Sequence, residues 1–407
     1  MEKLYNPFSP GAGTQPPELA GRQEILDQIL NALARIRMGR PEKSALLIGL
    51  RGVGKTVLLN RIQELAEMNK YETMMIEARE DKPLPLLLMP YMRQVLLRLD
   101  RGKSVSAKVK RGLAVLKSFM NGIRITVNDM EIGLDIDPEK GTADSGDLEA
   151  DLSELFIALG EAAQDRATAV AIIIDELQYL SERELSSLIM AMHKVSQKRL
   201  PIVLIGAGLP QLVANAGQSK SYAERLFDYP EVGPLGGDDA KRALQEPVKA
   251  AGVAFTEDAL EEIISVTKGY PYFLQEWGYQ SWNLAQATPI DLETVQNATR
   301  ESIYKLDQSF FRVRFDRLTP REKDYLRALA ELGTDPQRSG EIAYLLGVKS
   351  ESVAPLRNGL IKKGMIYSPA HGDTAFTVPL FNEFMKRIMP ELPTPKKKGS
   401  GANIPQG

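Results

Sequence analysis

The sequence contains no cysteine and only two histidines in 407 residues. The first absence excludes disulfides and thiolate metal sites and fits a reducing compartment. His193 and His371 have no ligand partners at metal-binding spacing, so a zinc-type centre is not expected either. No run of eighteen apolar residues exists, and the opening segment "MEKLYNPFSPGAGTQPPELAGR" lacks the apolar stretch of a secretion signal. A cytoplasmic protein without membrane contact is the expectation. An excess of one charge is missing as well: 51 Lys and Arg against 53 Asp and Glu leave a formal net charge of −2. Any attraction to nucleic acid must therefore come from a local patch.

What is present is enough apolar residue, 43%, for two or three packed domains at this length. Residues 1–20 are rich in Pro and Gly and read as an irregular arm. From 21 to 237, apolar strand candidates ("SALLIGL", "YETMMIEA", "AVAIIID", "PIVLIGAG") alternate with helical patterns. Strands that are apolar throughout, separated by helices, indicate an α/β fold with a parallel sheet covered on both faces. A hairpin insertion is expected near 123–136. Strands then stop: 238–316 reads as a helical subdomain, 317–390 as a further domain, and 391–407 as a disordered basic tail.

The strongest local signal is "GLRGVGKT", Gly49 to Thr56, which satisfies G-x-x-x-x-G-K-[ST] between a strand and a helix. Glycines let successive backbone N–H groups converge on phosphate oxygens, and the helix N-terminus adds partial positive charge. The cradle comprises Gly49, Gly52, Val53, Gly54, Lys55, Thr56 and Val57. Lys55 is placed to reach the β and γ phosphates of ATP, and Thr56 offers a hydroxyl to Mg²⁺. Arg51 is not specified by the motif and is expected to face solvent. The acidic partner is the pair Asp175–Glu176, which ends the apolar strand "AVAIIID". Asp175 there can hold Mg²⁺, and Glu176 can polarise the attacking water. Gln178 is close enough to join a polar network, but its expected place is on the surface of the following helix.

In order along the chain, "AGRQEI", "GLRGVGKT", "IIIDELQ", "IVLIGAGLPQL", "ERLFDYPEVGPL" and "TKGYPYFLQ" resemble AAA+ and STAND-type ATPases, and especially bacterial and archaeal ATPases similar to origin-recognition proteins. The resemblance spans about residues 18–390 and implies a P-loop core followed by a helical lid. It also implies that Gly21 and Arg22 lie over the adenine. Read without it, they are a helix start with an exposed arginine. By the same resemblance Pro271, in "GYP", lies against the nucleotide, and Arg225 serves as an arginine finger toward a neighbouring subunit. One departure stands out: "PIVLIGAG" ends in Gly206, Ala207 and Gly208 where such proteins carry a polar sensor. The C-terminal sensor arginine is missing too, which favours a slow nucleotide switch.

"LTPREKDYLRALAELG", "RSGEIAYLLGV" and "SESVAPLRNGLIKKGMI" give three helices, and "MIYSPAHGDTAFTV" a hairpin, which is the winged-helix pattern. Its third helix carries Arg357, Asn358, Lys362 and Lys363 toward duplex DNA. Residues 318–388 hold ten Lys and Arg against eight Asp and Glu, a net of +2 that is weak for a DNA reader. The expectation is an ATPase switch engaging DNA. The alternatives are a STAND-like signalling ATPase without DNA contact, or an assembly factor that ATP drives to form a homo-oligomer and that serves a transposition, replication or defence partner.

Overall fold

The computed structural model describes residues 1–11, 13–100, 106–122, 136–370 and 372–392. The hairpin expected near 123–136 and the tail from 391 fall almost wholly outside the described residues, as does His371. The chain divides into two compact units, residues 1–292 and 293–407.

In the first unit, α1 (Gln23–Arg37), β1 (Ser44–Ile48), α2 (Lys55–Met68), β2 (Tyr71–Glu77), α3 (Leu84–Asp100), α4 (Ala107–Gly122), α5 (Leu148–Asp165), β3 (Ala169–Asp175), α6 (Glu182–Gln197), β4 (Ile202–Gly208), α7 (Gln211–Ser219), α8 (Ala223–Leu226) and β5 (Phe227–Asp228) build a layered α/β core. Helices α9 (Gly237–Lys249), α10 (Glu257–Thr267) and α11 (Pro271–Leu284) follow without further strands. Among the described residues the sheet has five strands in the order β2-β3-β4-β1-β5, all parallel. Successive residues of the inner strands enter different layers: Leu46, Ile172 and Leu204 pack on one side, Leu47, Ile173 and Ile205 on the other. Both faces are covered, so the strands are apolar throughout instead of alternating. Strand β5 was not anticipated. It has only two residues, too few for any periodic signal, and it is fixed by pairing with Ser44 and Ala45.

Helix starts follow their caps. Ser181 and Glu184 form a reciprocal box at the start of α6, and the Asp147 carboxylate accepts the Glu149 N–H at α5. The N-terminal arm is irregular apart from a single 3₁₀ turn, Lys3–Tyr5, yet it is anchored. Phe8 is buried against Gly278 of α11, and the Asn6 amide donates to the Tyr279 carbonyl and to Asn283.

The second unit contains α12 (Leu292–Gln308), α13 (Phe310–Asp316), α14 (Pro320–Leu332), β6 (Gln337–Arg338), α15 (Ser339–Leu345), α16 (Ser350–Lys362), β7 (Ile366–Tyr367), β8 (Asp373–Phe376) and α17 (Phe381–Ile388). The expected three helices and hairpin are present, the hairpin widened by β6 into an antiparallel sheet ordered β6-β8-β7. Phe311, Phe381 and Phe384 form an aromatic core beside α14. Among the described residues no helix is long and apolar enough to cross a membrane.

Candidate active site

Three glycines in the segment 49–54 each meet a distinct demand. Gly52 and Gly54 have φ of 82° and 91°, the left-handed region open to glycine. At Gly49 a Cβ would lie 2.2 Å from the Val232 carbonyl oxygen, because residues 230–232 run beside the end of β1. The loop thus turns through two left-handed glycines and hands the chain to α2 at Lys55.

The cradle opens at the C-terminal edge of the sheet, beside the end of β3. There the Thr56 hydroxyl donates to Asp175 Oδ2 at 2.6 Å, so residues 119 positions apart are brought together. Asp175 is only 5% exposed, and burial pushes its carboxyl above the usual carboxylate range, partly offset by the Thr56 hydrogen bond. Lys55 is 8% exposed and donates to the Gly49 and Leu50 carbonyls, both at 2.8 Å. Burial pulls its amine down to about 8, against the favourable charges of Glu176 and Asp175. Glu176 follows Asp175 in the left-handed region, φ 56° and ψ 39°, with its N–H donated to Asp175 Oδ1 at 2.8 Å.

Several residues are placed differently from the sequence reading. Arg22 is neither exposed nor free: at 7% exposure it donates to the carbonyls of Val53 and Gly233, clamping the start of α1 to the cradle and to the chain after β5. Burial lowers its guanidinium pKa, with Asp239 opposing. A Cβ at Gly21 would lie 2.6 Å from Asp239 Oδ2. Arg51 is half-buried, not solvent-facing, and donates to the Tyr179 hydroxyl at 2.7 Å. Gln178 belongs to the polar network, donating to Glu176. Pro271 occupies the first turn of α11, and the next N–H, that of Tyr272, donates to the Gly52 carbonyl at 3.2 Å. Val57 is half-buried in the first turn of α2.

Arg225 stands apart from this cluster. It lies just before β5, whose Phe227 pairs with Ser44, the first residue of β1, whereas the cradle follows the last. Arg225 is exposed at the opposite edge of the sheet from its own cradle.

The sequence reading also missed Gly13. A Cβ there would lie 3.3 Å from Thr56 Cγ2, and its carbonyl accepts from the Asn60 amide. The arm therefore crosses the start of α2. Its one sequence signal is the glycine-rich "GAG" at 11–13.

On the second unit, the Arg357 guanidinium donates to Thr374 Oγ1 at 3.0 Å, Ser368 Oγ at 2.6 Å and the Asp373 carbonyl at 2.9 Å. Lys363 pairs with Glu322 at 2.7 Å. Asn358 and Lys362 are exposed.

Comparison with known proteins places these residues in context. Residues 18–205 match the AAA ATPase domain family, and residues 308–385 match a domain of unknown function, DUF8462. An uncharacterized HTH-type transcriptional regulator of Methanocaldococcus jannaschii is 22% identical over 92% of this chain and 91% of its own length. The Walker-type ATPase of Pyrococcus abyssi has a similar fold, with a TM-score of 0.55 at 17% identity, covering 92% of this chain and 97% of that one. The Aeropyrum pernix ORC1 protein, solved in complex with DNA, superposes with a TM-score of 0.46 at 17% identity, over 91% and 94% of the two chains. The phosphate cradle and the acidic strand end fall within the residues that match the AAA ATPase domain, and the first unit has an AAA+-like P-loop fold.

Proposed function

We propose that the chain binds ATP with Mg²⁺, hydrolyses it slowly, and uses the nucleotide state to govern what its C-terminal unit engages. One observation carries the reading: Lys55, Thr56, Asp175 and Glu176 converge at one sheet edge, with Thr56 and Asp175 in contact at 2.6 Å. Thr56 and Asp175 offer hard oxygen donors of the kind Mg²⁺ takes, and they would hold it. When bound, the cation supplies charge neutralisation to the phosphates. Lys55 neutralises phosphate charge directly, leaving the carbonyls of Gly49 and Leu50 to do so. Glu176 accepts the proton of the attacking water. Gly21, Arg22, Gly13 and Pro271 surround the cradle and hold the nucleotide's other end, Arg22 doing so by fixing Val53.

Arg225, on the opposite edge of the sheet, serves only a neighbouring subunit's nucleotide, so activity depends on a homo-oligomer. The test of the chemistry is Glu176→Gln, which keeps the shape and loses the base. ATP binding should persist while turnover falls by roughly 10²–10⁴-fold. Equal turnover in variant and wild type rejects the role.

For the C-terminal unit we read a winged helix that engages duplex DNA. The HTH-type regulator that is similar over nearly the whole chain supports this, as do Asn358 and Lys362, exposed on or beside α16. A second reading, docking on a protein partner without DNA, is favoured by the commitment of Arg357 and Lys363 inside the unit. Salt-dependent binding to a DNA duplex separates the two. Both readings fit a cytoplasmic setting.

A further inference from the structure

We infer that Gln178 is a positioning residue for Glu176, and that it couples the carboxylate to the phosphate cradle through a single peptide unit at the end of β4. The geometry stands by itself; its consequence for turnover rests on the ATPase reading. Glu176 holds a left-handed backbone, φ 56°, which is strained for a non-glycine residue and persists only where the surroundings impose it. Here the Tyr179 N–H donates to the Glu176 carbonyl at 3.0 Å, closing a 3₁₀ turn, Leu177–Tyr179, that lays Gln178 against β4.

The Gln178 amide is engaged at both ends. Its Oε1 accepts the Leu209 N–H at 3.1 Å, and its Nε2 donates to Glu176 Oε2. A backbone N–H can only donate, so Leu209 fixes which end of the amide is oxygen and turns the NH₂ toward the carboxylate. The same peptide unit reaches the cradle: the Gly208 carbonyl accepts the Gly49 N–H at 3.1 Å. One peptide plane, 208–209, therefore touches the first residue of the cradle with its carbonyl and Gln178 with its N–H. Any rotation of that plane as phosphate fills the cradle is passed to Glu176.

This arrangement also accounts for the small residues that end β4. A Cβ at Gly206 would lie 2.2 Å from Leu177 Cδ1. One at Gly208 would lie 3.1 Å from Gln178 Oε1 and 2.8 Å from Leu212 Cδ2. The glycines are the space into which the turn after Glu176 packs. The polar group at the end of β4 is Gln178, supplied from the turn that follows β3.

Two substitutions divide the two halves of the contact in the full-length protein. Gln178→Ala removes both hydrogen bonds. Gln178→Glu keeps an acceptor for Leu209 and sets a second carboxylate against Glu176. Expected for both is a kcat roughly tenfold lower with KM within about twofold, because the base is misaimed while binding is intact. Amide exchange at Leu209 should quicken by at least about tenfold in Gln178→Ala and stay slow in Gln178→Glu. Wild-type turnover in Gln178→Glu, or unchanged Leu209 exchange in Gln178→Ala, overturns the proposal. If the wild type binds ATP without hydrolysing it, the ATPase reading fails, and Leu209 exchange with a non-hydrolysable ATP analogue decides the coupling. Greater protection on binding that Gln178→Ala abolishes supports it; identical protection overturns it.

Discussion

The C-terminal edge of the sheet in the first unit and helix α16 of the second unit both gather charged side chains, but they treat them in opposite ways. At the sheet edge Lys55 and Asp175 are buried with their ordinary titration displaced, Lys55 down to about 8 and Asp175 upward. Such displacement is what a site awaiting a charged ligand retains. On and beside α16, Arg357 and Lys363 have partners within their own unit, so their charge is used to close the hairpin and to fix α14. A cationic residue in sequence is thus a poor guide to a binding surface until its partner is known.

The sharpest test of this contrast is removal of one cation from each region. Lys55→Ala deletes a charge-assisted phosphate contact worth about 2 kcal/mol or more, and ATP affinity measured by calorimetry should fall at least about thirtyfold. The displaced titration adds a pH signature. Below about 8 the free protein already carries the Lys55 proton that phosphate binding requires. Above it, the free protein loses that proton and binding must recover it, so affinity should decline by up to about tenfold per pH unit. Lys55→Ala should show no such decline. A wild-type affinity that is flat from pH 7 to 10 would mean that the burial of Lys55 has no functional consequence.

Arg357→Ala should act on the fold instead. Three hydrogen bonds to Ser368, Asp373 and the buried Thr374 are lost, and the second unit should be destabilised by about 2 kcal/mol in denaturant unfolding, with ATP affinity unchanged. If stability holds while DNA affinity drops, Arg357 belongs with Lys55 as a ligand-facing cation and the contrast between the regions breaks.

A smaller effect of opposite sign is expected at the sheet edge. Because the folded protein raises the Asp175 pKa, its ionised form is penalised in the fold, and the penalty is present above that pKa and relieved as pH falls through it. Asp175→Asn removes the penalty at neutral pH. In nucleotide-free protein it should raise stability by roughly 1 kcal/mol, the scale seen when a functional group is relieved. With Mg²⁺ and ATP the ranking should reverse, because the wild type gains ligand stabilisation that the variant lacks. Thermal shifts recorded with and without nucleotide check both signs.

Much of this was legible in the sequence where a motif and a structural context coincide. "GLRGVGKT" between strand and helix located the cradle, and the apolar approach to Asp175 and Glu176 located the acidic partner. What escaped notice depends on tertiary approach. Arg22 reads locally as an exposed helix start, and only the family resemblance put it near the nucleotide, because nothing local reveals that Val53 and Gly233 turn their carbonyls toward it. The glycines ending β4 read as a missing sensor, since only the fold shows Leu177 and Gln178 filling the place of their side chains. Strand β5, at two residues, has no pattern to read.

The smallest predicted effect concerns Lys362, at the end of α16, which the sequence reading aimed at DNA and which is exposed and has no ion pair among the described residues. Removing it breaks no hydrogen bond or ion pair among the described residues, so stability should stay within about 0.5 kcal/mol of wild type. If it meets a phosphate, the slope of log affinity against log salt for a DNA duplex should flatten by about one unit, uniformly across sequences, because one fewer counterion is released. Arg357→Ala supplies the comparison: by loosening the hairpin it should weaken DNA binding without the one-unit change expected for a direct contact. An unchanged salt slope in Lys362→Ala would leave α16 with Asn358 as its only residue from the sequence reading still facing DNA, and the C-terminal unit would then be read as a protein-docking module.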